Sequence, residues 1–206
     1  MIEAKILYKA LMTAVVIAAP VLMLFSSCGN PIGPPVDEQF NSDIIYGSFK
    51  DSRDGQKYRT VFIGGKMWMA ENLNYKTSNS WCYNNKNYNC NTYGRLYTWN
   101  AARSACPSGW RLPNDSDWDN LISAVGSNAG TKLKSQTGWN GTDEFGFSAL
   151  PGGYRNTAGS FSNVGNWGYW WSATEVDASY ARGRTMVFIN CYVYSYWGLQ
   201  EQRVIC

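Results

Sequence analysis

The sequence predicts an α+β domain with two short helices and irregular antiparallel strands. Helix-period apolar spacing is confined to the middle of the chain, while the last third alternates with period two and carries short aromatic runs. The composition agrees: ten Trp, fourteen Tyr and twenty Gly among 206 residues suit short strands and turn-rich loops better than long amphipathic helices. The length, less a removable leader, fits one domain. A dispersed net charge of +3 argues against a nucleic-acid partner. The sequence has no histidine, which excludes a Ser-His-Asp triad and every His-containing metal site.

Residues 1–27 read as a lipoprotein signal peptide, 28–50 as a lipid-anchored flexible tether and 51–206 as the folded domain. Lys5 and Lys9 form a basic start, and Ala10 to Phe25 an apolar run of signal-peptide length, too short for a membrane-spanning helix. Leu24-Phe25-Ser26-Ser27-Cys28 resembles a bacterial lipobox, with Cys28 the lipidated residue. An ordinary secretory signal with an incidental cysteine is the alternative, and both export the protein. Gly29-Asn30-Pro31-Ile32-Gly33-Pro34-Pro35 suits a spacer that holds a domain off a membrane. The expected location is the cell envelope, as an outer-membrane lipoprotein exposed at the surface.

Lys57–Ile63 and Lys66–Asn72 flank Gly64-Gly65, the pattern of a two-residue hairpin. The Asn-, Tyr- and Cys-rich stretch Trp81–Tyr93 reads as a loop, and Asn100–Ala105 as a short helix. The clearest helix follows Asn114, a suitable N-cap. Asp115 and Asp117 suit its positive end, Trp118, Leu121, Ile122 and Val125 form one apolar face, and Gly126 stops it. A further short helix is expected around Thr131–Ser135. Strands are expected at Phe145–Leu150, Trp170–Thr174, Ala181–Ile189, Cys191–Tyr196 and Gln202–Cys206.

In an exported chain the cysteines suggest disulfides rather than metal ligands, and no CxxC pair is present. Cys82 and Cys90 fall in one loop and could staple it. Cys106 could join Cys206, closing a loop worth about 4–5 kcal/mol in the chain-entropy model. Cys191 then reads as a buried thiol on the small-residue side of a strand.

Several segments occur in a specific order. Asn72-Leu73 follows Met67-Trp68-Met69, then come Tyr93-Gly94-Arg95-Leu96-Tyr97-Thr98-Trp99 and Cys106-Pro107-Ser108-Gly109-Trp110-Arg111-Leu112-Pro113. Ala129-Gly130-Thr131-Lys132-Leu133-Lys134-Ser135, Gly146–Arg155 and Trp170-Trp171-Ser172-Ala173-Thr174-Glu175 complete the series. Together they resemble the Fibrobacter succinogenes major paralogous domain, found in bacterial surface lipoproteins, strongly over Asp54–Glu175. The resemblance implies a C-type lectin-like fold, in the branch that includes formylglycine-generating enzymes. In that fold the chain ends typically come together, in keeping with a Cys106–Cys206 bridge. Gly198-Leu199 and the late Arg203-Val204-Ile205-Cys206 only approximate the family's closing strand.

The segment Thr185–Gly198 carries the candidate site. Odd positions Thr185, Val187, Ile189, Cys191 and Val193 suit a core-facing side; the even positions are dominated by large aromatics. One reading buries both faces and makes the domain a non-catalytic structural component or assembly subunit of the cell envelope. The other makes Arg182, Arg184, Phe188, Asn190, Tyr192, Tyr194, Tyr196 and Trp197 a ligand-binding face, for a glycan or a protein: tyrosine offers large contact area and a polar tip at low entropic cost, and the arginines could meet carboxylates or sulfates. Some related lectin-like domains are diversified by retroelements at Asn codons, and all of these except Trp197 are residues such codons can yield. No metal, cofactor or catalysis is expected. Trp170-Trp171-Ser172 stands where calcium lectins carry Trp-Asn-Asp, and Asp115, Asp117 and Asp119 diverge around a helix. Cys191 and Cys206 are too far apart for a formylglycine-type cysteine pair.

Overall fold

In the computed structural model residues 40–200 and 204–205 are described. The signal peptide, Cys28, most of the tether and Cys206 with its expected bridge to Cys106 lie outside the described residues. Strands β1 (Gly47–Lys50), β2 (Lys57–Ile63) and β3 (Lys66–Met69) form an antiparallel sheet in that order. Gly64 and Gly65 make the expected β2–β3 turn with φ of 59° and 79°, a conformation that favours glycine. β1 pairs with β2 from Gly47↔Thr60 to Lys50↔Lys57, so strand pairing includes residues ahead of the expected boundary at Asp51. The segment before it is docked too: Asn41 Nδ2 donates to Asp143 O at 3.0 Å, and Tyr46 Oη reaches Asp143 Oδ2 at 3.5 Å.

The stretch read as a loop holds β4 (Ser80–Trp81), a 3₁₀ turn (Tyr83–Asn85) and α1 (Asn87–Tyr93). With no apolar periodicity, α1 depends on the expected Cys82–Cys90 disulfide, and Arg95 Nη1 packs on both sulfurs at 3.5 and 3.4 Å. After β5 (Leu96–Tyr97), α2 (Trp99–Ala105) starts at Thr98, whose Oγ1 accepts from Ala101 N. Helix α3 (Asp115–Val125) has the expected limits. Asn114 and Asp117 form a reciprocal capping box, Gly126 at φ 77° ends the helix, and Trp118, Leu121 and Val125 are buried. Helix α4 (Ala129–Leu133) follows. Among the described residues no helix is long and apolar enough to cross a membrane.

The expected strand at Phe145–Leu150 does not form. Asp143, Gly146 and Ser148 take φ of 47°, 70° and 52°, which bends the chain, and only Ala149 bridges, to Lys134. A small hairpin, β6 (Tyr154–Arg155) and β7 (Phe161–Ser162), comes next. Then β8 (Trp167–Glu175), β9 (Tyr180–Val187), β10 (Tyr194–Leu199) and β11 (Val204–Ile205) join β4 and β5 in a six-stranded sheet, ordered β10-β9-β8-β11-β5-β4.

The core has two halves, one on each side of β8, and neighbouring tryptophans divide between them. Trp170 joins Trp118, Leu121, Val125 and Met186 on the α3 side; Trp171 joins Trp99, Ala102, Ala105 and Ala181 on the α2 side. Their indoles donate to Asn72 Oδ1 (3.0 Å) and to Tyr97 O (3.0 Å), so burial leaves neither N–H unpaired. The observed architecture is α+β: among the described residues, four short helices, where two were expected, lie beside small, mainly antiparallel sheets.

Candidate aromatic binding face

The two-sided core decides where the eight predicted site residues go. A helix packs on each face of the central sheet, and the even positions Arg184 and Met186 of β9 are buried. Arg184 is only 3% exposed. Its Nη1 donates to Asp115 Oδ1 at 2.9 Å and to Ser195 Oγ at 3.2 Å, and its Nη2 to Asp119 Oδ1 at 2.8 Å. It ties β9 to α3 and cannot meet a ligand. Tyr196 is also withdrawn: its ring lies over Gly183, where an added Cβ would come within 2.5 Å of it, and packs against Tyr169 at 5.6 Å. Its hydroxyl is buried without a partner, and desolvation raises its pKa well above the ordinary value.

Strand pairing separates the rest. Ser195 and Trp197 lie opposite Arg184 and Arg182, on the α3 side. There Trp197 is exposed, with the Arg182 guanidinium 6.0 Å from its ring and Arg182 Nε 3.3 Å from Asp115 Oδ2. Tyr194 lies opposite Thr185, on the other side. The single even-numbered face therefore does not exist, because the alternation breaks after Val187. Residues 188–193 form the β9–β10 connection instead of continuing either strand, and Cys191, expected as a buried strand thiol, is half-buried within it.

That connection is held by its main chain. Lys134, 1% exposed, sends Nζ to Val187 O (3.1 Å), Phe188 O (3.3 Å), Asn190 O (2.8 Å) and Asn140 Oδ1 (2.7 Å). Gly130 N donates to Cys191 O at 2.8 Å, and a Cβ on Gly130 would meet Tyr192 O at 2.4 Å, so a larger residue would lift the loop off α4. With the backbone fixed from below, the side chains turn outward: Phe188 is 43%, Ile189 86%, Tyr192 57% and Tyr194 40% exposed. The Tyr192 and Tyr194 rings meet edge to face at 6.1 Å.

On the Tyr194 side of the sheet the aromatic surface continues onto β8. Thr185 pairs with Tyr194 on one flank and Tyr169 on the other. Those tyrosines therefore stand two strand spacings apart, roughly 10 Å, across a small residue. Tyr169 stacks on the exposed Trp167 (centroids 5.8 Å, planes 11° apart), meets Tyr154 at 5.2 Å and takes a hydrogen bond from Asn163 Nδ2 at 3.2 Å. Sequence reasoning missed Trp167, Tyr169 and Tyr154; the alternation Trp167-Gly168-Tyr169-Trp170-Trp171 held a usable signal, since it sends Trp167 and Tyr169 to one face.

The face is chemically uncharged and rich in rings, suited to stacking and to hydroxyl hydrogen bonds. It holds no nucleophile set beside a base. Among the described residues no three His, Cys, Asp or Glu side chains are grouped so as to hold a metal ion.

No curated protein and no solved structure matches the chain. Residues 61–202, from within β2 to just beyond β10, match the family model of the Fibrobacter succinogenes major domain, and since that match spans more than half of its length, the chain belongs to this family.

Proposed function

We propose that this protein is a non-catalytic binding module with a C-type lectin-like fold, carried at the cell surface as an outer-membrane lipoprotein anchored through Cys28. It binds an extracellular glycan or protein and serves in adhesion. The observation that carries this reading is the clamped connection 188–193: a loop fixed through its carbonyls by a buried lysine while Phe188, Ile189 and Tyr192 point to solvent. Exposed apolar side chains on a rigid backbone lose little freedom on binding, which favours recognition. The ligand-binding set is accordingly revised to Phe188, Asn190, Tyr192 and Tyr194 with Trp167 and Tyr169. Arg182 and Trp197 form a separate edge, and Arg184 and Tyr196 are structural.

A glycan and extracellular-protein array probed with residues 29–206 tests the reading. Tyr192→Ala/Tyr194→Ala and Trp167→Ala should abolish binding with folding intact, because these side chains are exposed. An array without hits, or retention of the hit by both folded variants, refutes the assignment.

A further inference from the structure

Away from the aromatic face, on the Trp170 side of β8, a cleft of about 380 Å³ opens between β3 and the loop Cys106–Pro113. It lies within the size range of small-molecule sites. Trp68, Trp118, Phe147 and Trp170 give it an aromatic wall, with Trp118 at 5.5 Å from Trp68, 6.0 Å from Phe147 and 6.4 Å from Trp170. Met67, 52% exposed, lines it from β3. A polarizable, flexible methionine beside fixed rings adapts readily to a flat apolar guest.

Two features make the cleft more than a packing defect. Trp118 is 2% exposed, and its indole N–H has no partner, whereas the indoles of Trp68 and Trp170 in the same wall donate to Ile63 O and Asn72 Oδ1. A buried unpaired donor is uncommon in a folded core and invites an acceptor. The second feature is charge. Arg111 Nη1 and Nη2 bind the Asp117 carboxylate at 2.5 and 3.0 Å, and Lys66 Nζ lies 3.4 Å from the same group. Asp117 Oδ2 also accepts from Asn114 N at 2.8 Å. Two cations thus share one carboxylate already engaged in capping α3, which leaves this rim with an excess positive charge. Both cations reach solvent, Arg111 with 59% and Lys66 with 42% of the side chain exposed. Glu71 lines the cleft as well; burial raises its carboxyl pKa, and its Oε2 accepts from Arg59 N.

We propose that this cleft is a second binding site, for a free small molecule that joins an apolar ring to a carboxylate: the ring lies on the tryptophan wall and the carboxylate meets Arg111 and Lys66 at the rim. The site is independent of the aromatic face and of what that face binds.

The test uses the full-length protein, with benzoate and cyclohexanecarboxylate as probes and benzamide and benzylamine as their neutral and cationic counterparts, followed by tryptophan fluorescence and ligand-observed NMR. For ligands this small a Kd on the order of 0.1–1 mM is expected for the carboxylates, with benzamide roughly tenfold weaker and benzylamine weaker still. Arg111→Gln and, separately, Lys66→Gln should each weaken the carboxylates several-fold and leave benzamide unchanged. Met67→Trp, at an exposed strand position, should fill the mouth and remove binding of every probe. Tyr192→Ala/Tyr194→Ala should change none of this. Absence of binding up to about 10 mM, binding unchanged in Met67→Trp, or benzylamine binding as well as benzoate would each overturn the proposal.

Discussion

Replacing Lys134 with methionine tests the display loop and the scaffold beneath it together. The side chains are similar in length, so the change removes an ammonium and leaves the packing nearly intact. Four acceptors lose the ammonium: the carbonyls of Val187, Phe188 and Asn190, and Asn140 Oδ1. Hydrogen bonds to a charged group contribute about 1.5–3 kcal/mol each, but only acceptors that water cannot reach lose that much. Phe188 is exposed and Asn190 half-buried, so water replaces Nζ at those two; Val187 is 4% exposed, and its carbonyl keeps only the 3.3 Å bond from Asn190 N, a loss of about 1–3 kcal/mol. Relief of the buried charge offsets part of the loss. The net expectation is destabilisation by about 2 kcal/mol, or a fall in Tm of roughly 4–8 °C for a domain of this size. Urea unfolding gives the first number. Hydrogen exchange over residues 187–193 gives the second readout, because the loop should lose protection to a greater degree than β8 or α3. Stability within 0.5 kcal/mol of the parent, with unchanged loop exchange, would show that Lys134 does not hold the loop.

Stability should depend on pH through two aspartates acting in opposite senses. Desolvation pushes Asp143 up to about 6 from an ordinary 3.8. The folded state therefore holds its proton more tightly, and stability falls by up to roughly 3 kcal/mol as pH rises from about 4 to about 6; Asp143→Asn should remove that limb in urea titrations. The Arg111 guanidinium holds Asp117 down at about 2, so its contribution, roughly 2 kcal/mol at most, is present above pH 4 and lost as pH falls toward 2. Tyr196→Phe deletes a buried, unpartnered hydroxyl and should leave stability unchanged or raise it by about 1 kcal/mol in thermal melts. Cys82→Ser/Cys90→Ser opens a short loop and should cost about 2–3 kcal/mol, with faster exchange confined to α1.

The legible parts of the sequence were those set by local chemistry. The β2–β3 hairpin follows from Gly64-Gly65 between two apolar strands, and α3 from the Asn114 cap, the spacing of Trp118, Leu121 and Val125, and Gly126. The Cys82–Cys90 bridge followed from eight residues of separation inside one polar stretch. What stayed hidden depends on contacts distant in sequence. Alternation shows that β9 has two faces but not that α3 covers one of them; Asp115 and Asp119, which the sequence places on a helix with no partner in view, become the partners that bury Arg184. Helix α1 has no apolar period, and its order comes from a disulfide and Arg95. The break after Val187 is set by Lys134, more than fifty residues away in sequence, and nothing within 185–198 announces it.

The same clamp separates two kinds of position inside a segment that looks uniform. Lys134 and Gly130 hold residues 187–191 through carbonyl groups, which every amino acid supplies. The side chains at 188, 189 and 192 point to solvent, so they can change without disturbing either half of the core. Arg184, Met186 and Tyr196 have no such freedom: one closes an ion network with α3, one fills the Trp170 half of the core, and one covers Gly183. A surface that varies its chemistry on a constant frame needs this division, with specificity in exposed side chains and geometry in the main chain. If the segment is diversified, substitutions should gather at Phe188, Asn190, Tyr192 and Tyr194 and spare Arg184 and Tyr196, although all six share the same alternating register. Burial rather than codon type would then set the limits of variation.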